Sequence, residues 1–99
     1  MIKTASQLKA AVEAAGHSPY FFTRETMRLF GDTMQNYGVR AVTVRAQFDS
    51  AGNYCPTGIE RRAFELYRRR PVRHGNQNSA YFDAATFEHI HCIAGGAHG

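Results

Sequence analysis

The sequence predicts an α+β fold, with two or three helices packed on one face of a short antiparallel sheet. Three observations predict it. Helix-start signatures recur at Thr4, Thr23 and Asp83. Between them the apolar period changes to two over Val39 to Phe48, and again over Arg61 to Arg70. A chain of 99 residues has room for one core, so residues 1–94 are expected to form a single domain, with 95–99 as a flexible C-terminal tail.

Each element follows from local chemistry. Thr4 and Gln7 have the spacing of a capping box, in which hydroxyl and amide each satisfy an orphan backbone group. Leu8, Ala11, Val12 and Ala15 repeat at helical spacing, and Gly16 suits the left-handed stop. A second helix is expected from Thr23, with Phe22 and Met27 as a hydrophobic staple and Glu25 in its first turn. Its apolar seam runs through Met27, Phe30, Met34 and Tyr37, and Gly38 is expected to end it.

From Val39 the alternation sends Val42, Val44, Ala46 and Phe48 one way and Ala41, Thr43, Arg45 and Gln47 the other. Residues 49–53 form a turn cluster, and Pro56 and Gly58 predict an irregular stretch up to Ile59. The second strand carries Phe64 and Leu66 on one face and Ala63, Glu65 and Tyr67 on the other, with Pro71 stopping it. A polar loop follows. Asp83 then caps a third expected helix, stapled by Phe82 and Phe87 and continued by Ile90 and Ala94. The predicted core is Leu8, Val12, Phe22, Met27, Phe30, Met34, Val42, Val44, Phe48, Phe64, Leu66, Phe82, Phe87 and Ile90.

Composition narrows the function classes. An apolar fraction of 43% with 20% charged residues argues against wholesale disorder, and no apolar run is long enough to span a bilayer. Met1-Ile2-Lys3-Thr4 leads straight into a helix pattern, so no leader is expected and Cys55 and Cys92 are expected to be reduced cytoplasmic thiols. Net charge is +4, and arginine supplies ten of the twelve basic residues. Arginine offers a planar fork that pairs bidentately with phosphate or carboxylate, so the balance points to an anionic partner.

The arginines concentrate. Arg61, Arg62, Tyr67, Arg68, Arg69, Arg70, Arg73 and His74 are the candidate partner-binding residues, with only Glu60 and Glu65 nearby to neutralise them. On a strand, Arg68 and Arg70 would share one face and Arg69 and Tyr67 the other. Such a surface fits an acidic protein face or, through interleaved guanidinium and aromatic groups, RNA or DNA. A charged edge strand that merely resists aggregation uses the same residue types.

His89, His91 and Cys92, with Cys55 or His17, invite a zinc reading. They lack a paired motif of fixed spacing, so no metal or other cofactor is expected. No phosphate loop, nucleophile elbow or His-Glu zinc helix occurs, and Asp83 is occupied as a cap, so the chain is not expected to be an enzyme.

Three strings carry a resemblance: residues 26–40 (TMRLFGDTMQNYGVR), residues 65–75 (ELYRRRPVRHG) and residues 79–82 (SAYF). Over roughly Tyr20 to Phe87 the chain resembles a family of small bacteriophage and prophage proteins. That family carries no established activity, so no functional residue transfers. The resemblance implies an accessory protein acting in the cytoplasm of a bacterial host. By extension it implies an inhibitor of a host defence complex, anti-CRISPR-like, working through protein–protein contacts. A basic chain is the wrong sign for a nucleic-acid mimic; it would instead cover an acidic protein surface or grip the nucleic acid of the complex. The alternative is a nucleic-acid-binding regulator that uses the surface from Arg61 to His74.

Overall fold

The computed structural model describes residues 2–17, 36–70, 79–91 and 93–98. In chain order the elements are helix α1 (Ala5–Ala14) and strands β1 (Tyr37–Phe48), β2 (Tyr54–Arg68), β3 (Ser79–Asp83) and β4 (Ile93–His98). The strands make one antiparallel sheet in the order β3-β2-β1-β4. The α+β class and the small single domain therefore stand, and among the described residues there is one helix.

Helix α1 begins and ends as its sequence dictates. The Thr4 hydroxyl accepts from the Gln7 amide, and the Gln7 side chain accepts from the backbone of Lys3 and Thr4. At the other end Gly16 adopts φ +86°, and the Gly16 and His17 amides return to the carbonyls of Glu13 and Val12. Ala5, Leu8 and Val12 are buried against Tyr37, Leu66, Ala80 and Phe82 of the sheet.

Alternation along the strands gives the sheet two covered faces. Beneath α1 lie Tyr37, Val39, Phe64, Leu66, Ala80 and Phe82. The opposite face carries a second cluster, Val42, Val44, Ala46 and Ala63, on which Ile90, Ile93 and Tyr81 pack. The expectation of one core on one face is corrected here. The register sets Val42 beside Ala63 and Val44 beside Arg61, which puts both valines on the side away from Phe64 and Leu66. Leu8, Val12, Val42, Val44, Leu66, Phe82 and Ile90 are buried as predicted, whereas Phe48 is exposed at the far end of β1. Phe22, Met27, Phe30 and Met34 lie outside the described residues, as does most of the second expected helix.

Four further expectations give way. Tyr37 and Gly38, read as the end of the second helix, open β1; Tyr37 fits a period of two with Val39 as well as it fits a helical seam. The stretch from Tyr54 to Ile59 belongs to β2. Cys55 to Gly58 stand opposite Gln47 alone as a four-residue bulge, which absorbs Pro56 and lets Gly58 take φ +81°. Asp83 caps a single turn in place of a third helix. Its carboxylate accepts from the Ala85 and Thr86 amides, Phe87 takes φ +60°, and the chain turns back so that His89 bridges Phe82. Residues 95–98, expected as a loose tail, pair with β1 in β4. Glycine and alanine can satisfy a backbone ladder without showing an apolar period, so the pattern was silent there.

Candidate functional site

The arginines predicted as one surface separate into two groups, at the middle and at the C-terminal end of β2, about seven residues or roughly 20 Å apart along an extended strand. At mid-strand, Arg61 is buried. Its Nε and Nη2 donate to Asp83 Oδ2 at 3.1 and 2.7 Å, Nη2 also reaches Glu88 Oε1 at 3.2 Å, and Nη1 donates to the Phe48 carbonyl at 3.1 Å. Those donors are consumed inside the protein, which removes Arg61 from the contact surface. Arg62 is exposed beside it, but alternation places it on the α1 face, away from Arg61.

Burial raises the Asp83 carboxyl pKa, but hydrogen bonds from the Thr86 amide, the Arg61 guanidinium and the Ala85 amide outweigh that and hold it below the ordinary range. Next to this network lies a cavity of about 430 Å³ lined by His17, Phe48, Arg61, Glu88, His89 and His91. His89 and His91 face each other, Nδ1 to Nδ1 at 3.0 Å. Burial, then the neighbouring imidazole, lower the His89 pKa to about 4, so the His89 ring is uncharged at neutral pH. Among the described residues no three His, Cys, Asp or Glu side chains converge to hold a metal ion; Cys92 lies outside them.

The C-terminal end of β2 is different. Here Tyr67, Arg68, Arg69 and Arg70 meet the start of β1, and the Arg69 amide donates to the Asn36 carbonyl at 2.9 Å. Arg69 and Arg70 are exposed, and Arg68 is half-buried with its guanidinium 5.7 Å from the centre of the buried Tyr37 ring. Arg73 and His74 lie outside the described residues.

One residue of this end was not among the sequence candidates. Arg40 stands opposite Glu65, and Glu65 opposite Tyr81, so the three form a row across β1, β2 and β3 on one sheet face. Glu65 is buried; it accepts from Arg40 Nε and from the Tyr81 hydroxyl at 3.2 Å. Burial pushes the Glu65 carboxyl up, but hydrogen bonds from Arg40, Ser79 and Tyr81 bring it net below its ordinary value and keep it ionised.

In return the hydrogen bond and the charge of Glu65 hold the Arg40 guanidinium above its own ordinary value. Its Cζ lies 4.7 Å from the centre of the Tyr67 ring, a cation–π distance. Tyr67 in turn lies directly over Gly38, so close that a methyl group added there would overlap the ring. Nothing in the sequence flags Arg40 except its place in the alternation, because Glu65 is 25 positions away and the register that joins them is not visible.

Four arginines (Arg40, Arg68, Arg69 and Arg70) thus lie towards one end of the sheet, where Arg40 is the one paired with the buried carboxylate of Glu65 among the described residues. The arrangement has an excess of positive charge, two rings already engaged by guanidinium groups, and outward-facing donors. It can receive anions. Compared with protein families, known proteins and solved structures, the chain matches none. Among the described residues no helix is long and apolar enough to cross a membrane.

Proposed function

We propose that this chain is a non-catalytic binding protein that docks its basic end, formed by Arg40, Tyr67, Arg68, Arg69 and Arg70, on an acidic protein surface. The observation that carries the reading is the exposure of Arg69 and Arg70 towards the same end of the sheet as an Arg40 already set on Glu65 and Tyr67. Docking on such a preset surface forfeits less side-chain freedom than ordering loose arginines would. The resemblance to phage accessory proteins supplies the context for this proposal: a host defence complex in the bacterial cytoplasm as the partner, inhibited by occupation of an acidic face.

The nucleic-acid alternative uses the same charges. It has less support, because base recognition on a single strand wants open aromatic faces. Tyr37 is buried beneath Arg68, and Tyr67 is engaged by Gly38 and Arg40.

The test is co-purification of the tagged chain with the defence complexes of a bacterial host. Arg69→Glu with Arg70→Glu is expected to abolish recovery of a multisubunit partner, while Arg62→Glu, in the middle of β2, leaves it intact. Equal recovery with all three proteins would refute the assignment. Capture of nucleic acid alone, lost steeply as salt rises, would move the function to the alternative.

A further inference from the structure

We infer that Arg40 is the residue that receives the partner's charge: its terminal Nη1 and Nη2 edge takes a side-chain carboxylate from an acidic segment of the bound protein. The inference rests on the docking function proposed above and names the chemistry at its centre.

A guanidinium has five donors in one plane, and its value as a receptor depends on how firmly that plane is held. Arg40 is held at two points. Its Nε is committed to Glu65, a buried carboxylate that Tyr81 and Ser79 also engage, and its face lies on Tyr67. Tyr67 is itself located by Gly38, which offers no side chain to lift the ring. Yet the Arg40 side chain is 60% exposed while that of Glu65 is 6% exposed. Among the described residues, its Nη atoms meet no acceptor. The terminal edge of the fork is therefore left accessible to a two-oxygen anion, while Nε and Cζ are anchored on Glu65 and Tyr67.

The other arginine described on this face of the strands is spent differently. Arg61 has both terminal nitrogens on internal acceptors. Arg40 alone combines a committed Nε with an open terminal edge among those described. A planar, bidentate contact suits a carboxylate, and lysine cannot reproduce it, because a compact ammonium neither stacks nor forks.

The experiment is a binding titration of the full chain with a fluorescent oligo-glutamate peptide, and in parallel with an oligothymidine strand. Arg40→Lys is expected to weaken the peptide about tenfold, whereas Arg69→Lys changes it by about twofold or less, since only Arg40 acts through its planar geometry. In nitrogen-15 spectra of the arginine side chains, the peptide should shift and slow the exchange of the Arg40 Nη protons and leave its Nε–H where Glu65 holds it. Thermal unfolding of Arg40→Lys checks that the fold survives, and the spectral readout needs no variant at all.

Should Arg40→Lys bind as wild type while Arg69→Glu with Arg70→Glu destroys binding, the docking function stands and the Arg40 assignment falls. If that double charge reversal changes nothing, the docking function fails and takes Arg40 with it. Binding of oligothymidine with none of oligo-glutamate would overturn the carboxylate and put phosphate in its place.

Discussion

Two arginine–carboxylate units sit on the same face of this sheet, separated by the row of Val42 and Ala63, and they do opposite work. Arg61 and Asp83 have side chains only 8% and 9% exposed; Arg40 and Glu65 pair a 60% exposed cation with a 6% exposed anion. The residue types are the same. What differs is the covering: the segment from Glu88 to Ile90 folds back over Arg61, while Arg40 has no such cover among the described residues. A closed pair fixes the course of the chain, and a half-open pair holds a charge out to solvent.

The closed pair should carry the largest energetic effect. Arg61 ties Asp83 at the end of β3, Glu88 on the returning segment and the Phe48 carbonyl at the end of β1. Removing one partner of a buried pair strands the other without its counter-charge, a loss of about 3–5 kcal/mol. Arg61→Ala is therefore expected to lower the urea midpoint by that equivalent, and a loss under about 1 kcal/mol would erase the distinction drawn between the two arginines.

This division explains what could be read in the sequence and what could not. Helix α1 was legible because its capping box and glycine stop are local, and the valines of β1 because half-buried strands alternate. The turn at Asp83 imitates a helix start in sequence, because a carboxylate that accepts from two following amides looks the same whether one turn or four follow. The cluster around Arg68 to Arg70 was visible as composition. The burial of Arg61 and the role of Arg40 are invisible in sequence for one reason: their partners Asp83 and Glu65 lie 22 and 25 positions away, and only the strand register brings them together. Charge counts show how many arginines a segment holds; pairing decides which of them face outward.

The covering segment should also reveal itself through acid. His89 is neutral in the fold, with its pKa lowered to about 4, whereas an unfolded histidine takes its proton near 6.5. The unfolded chain thus binds the proton first as pH falls. Stability from this group is complete above about pH 6.5 and drains away between there and about pH 4, by on the order of 3 kcal/mol. The lowered carboxyls of Asp83 and Glu65 have the same sign but act later, below about pH 4, since they must be protonated from folded values under the ordinary range. Denaturation midpoints from pH 7 to 3 should show this early decline, and His89→Leu should flatten it between 6.5 and 4 while leaving the steeper acid limb. An unchanged profile in that variant would show that His89 does not hold the covering segment neutral.

The smallest effect on folding is expected at the open pair, where it separates stability from binding. Gly38 faces Tyr67 across the β1–β2 ladder, and the ring occupies the space a methyl group would need. Gly38→Ala forces Tyr67 to tilt or slide, a crowding cost of about 1–3 kcal/mol that the fold tolerates near a sheet end. The ring it displaces is the one on which Arg40 rests, so the guanidinium plane loses its backing while its charge and its bond to Glu65 remain. If binding came from net charge alone, this substitution would leave affinity for an acidic peptide untouched, because no charge has changed. If the plane of Arg40 matters, affinity should fall several-fold in Gly38→Ala and recover when Tyr67→Leu is added, since the smaller side chain relieves the crowding and lets Arg40 settle again over an apolar surface.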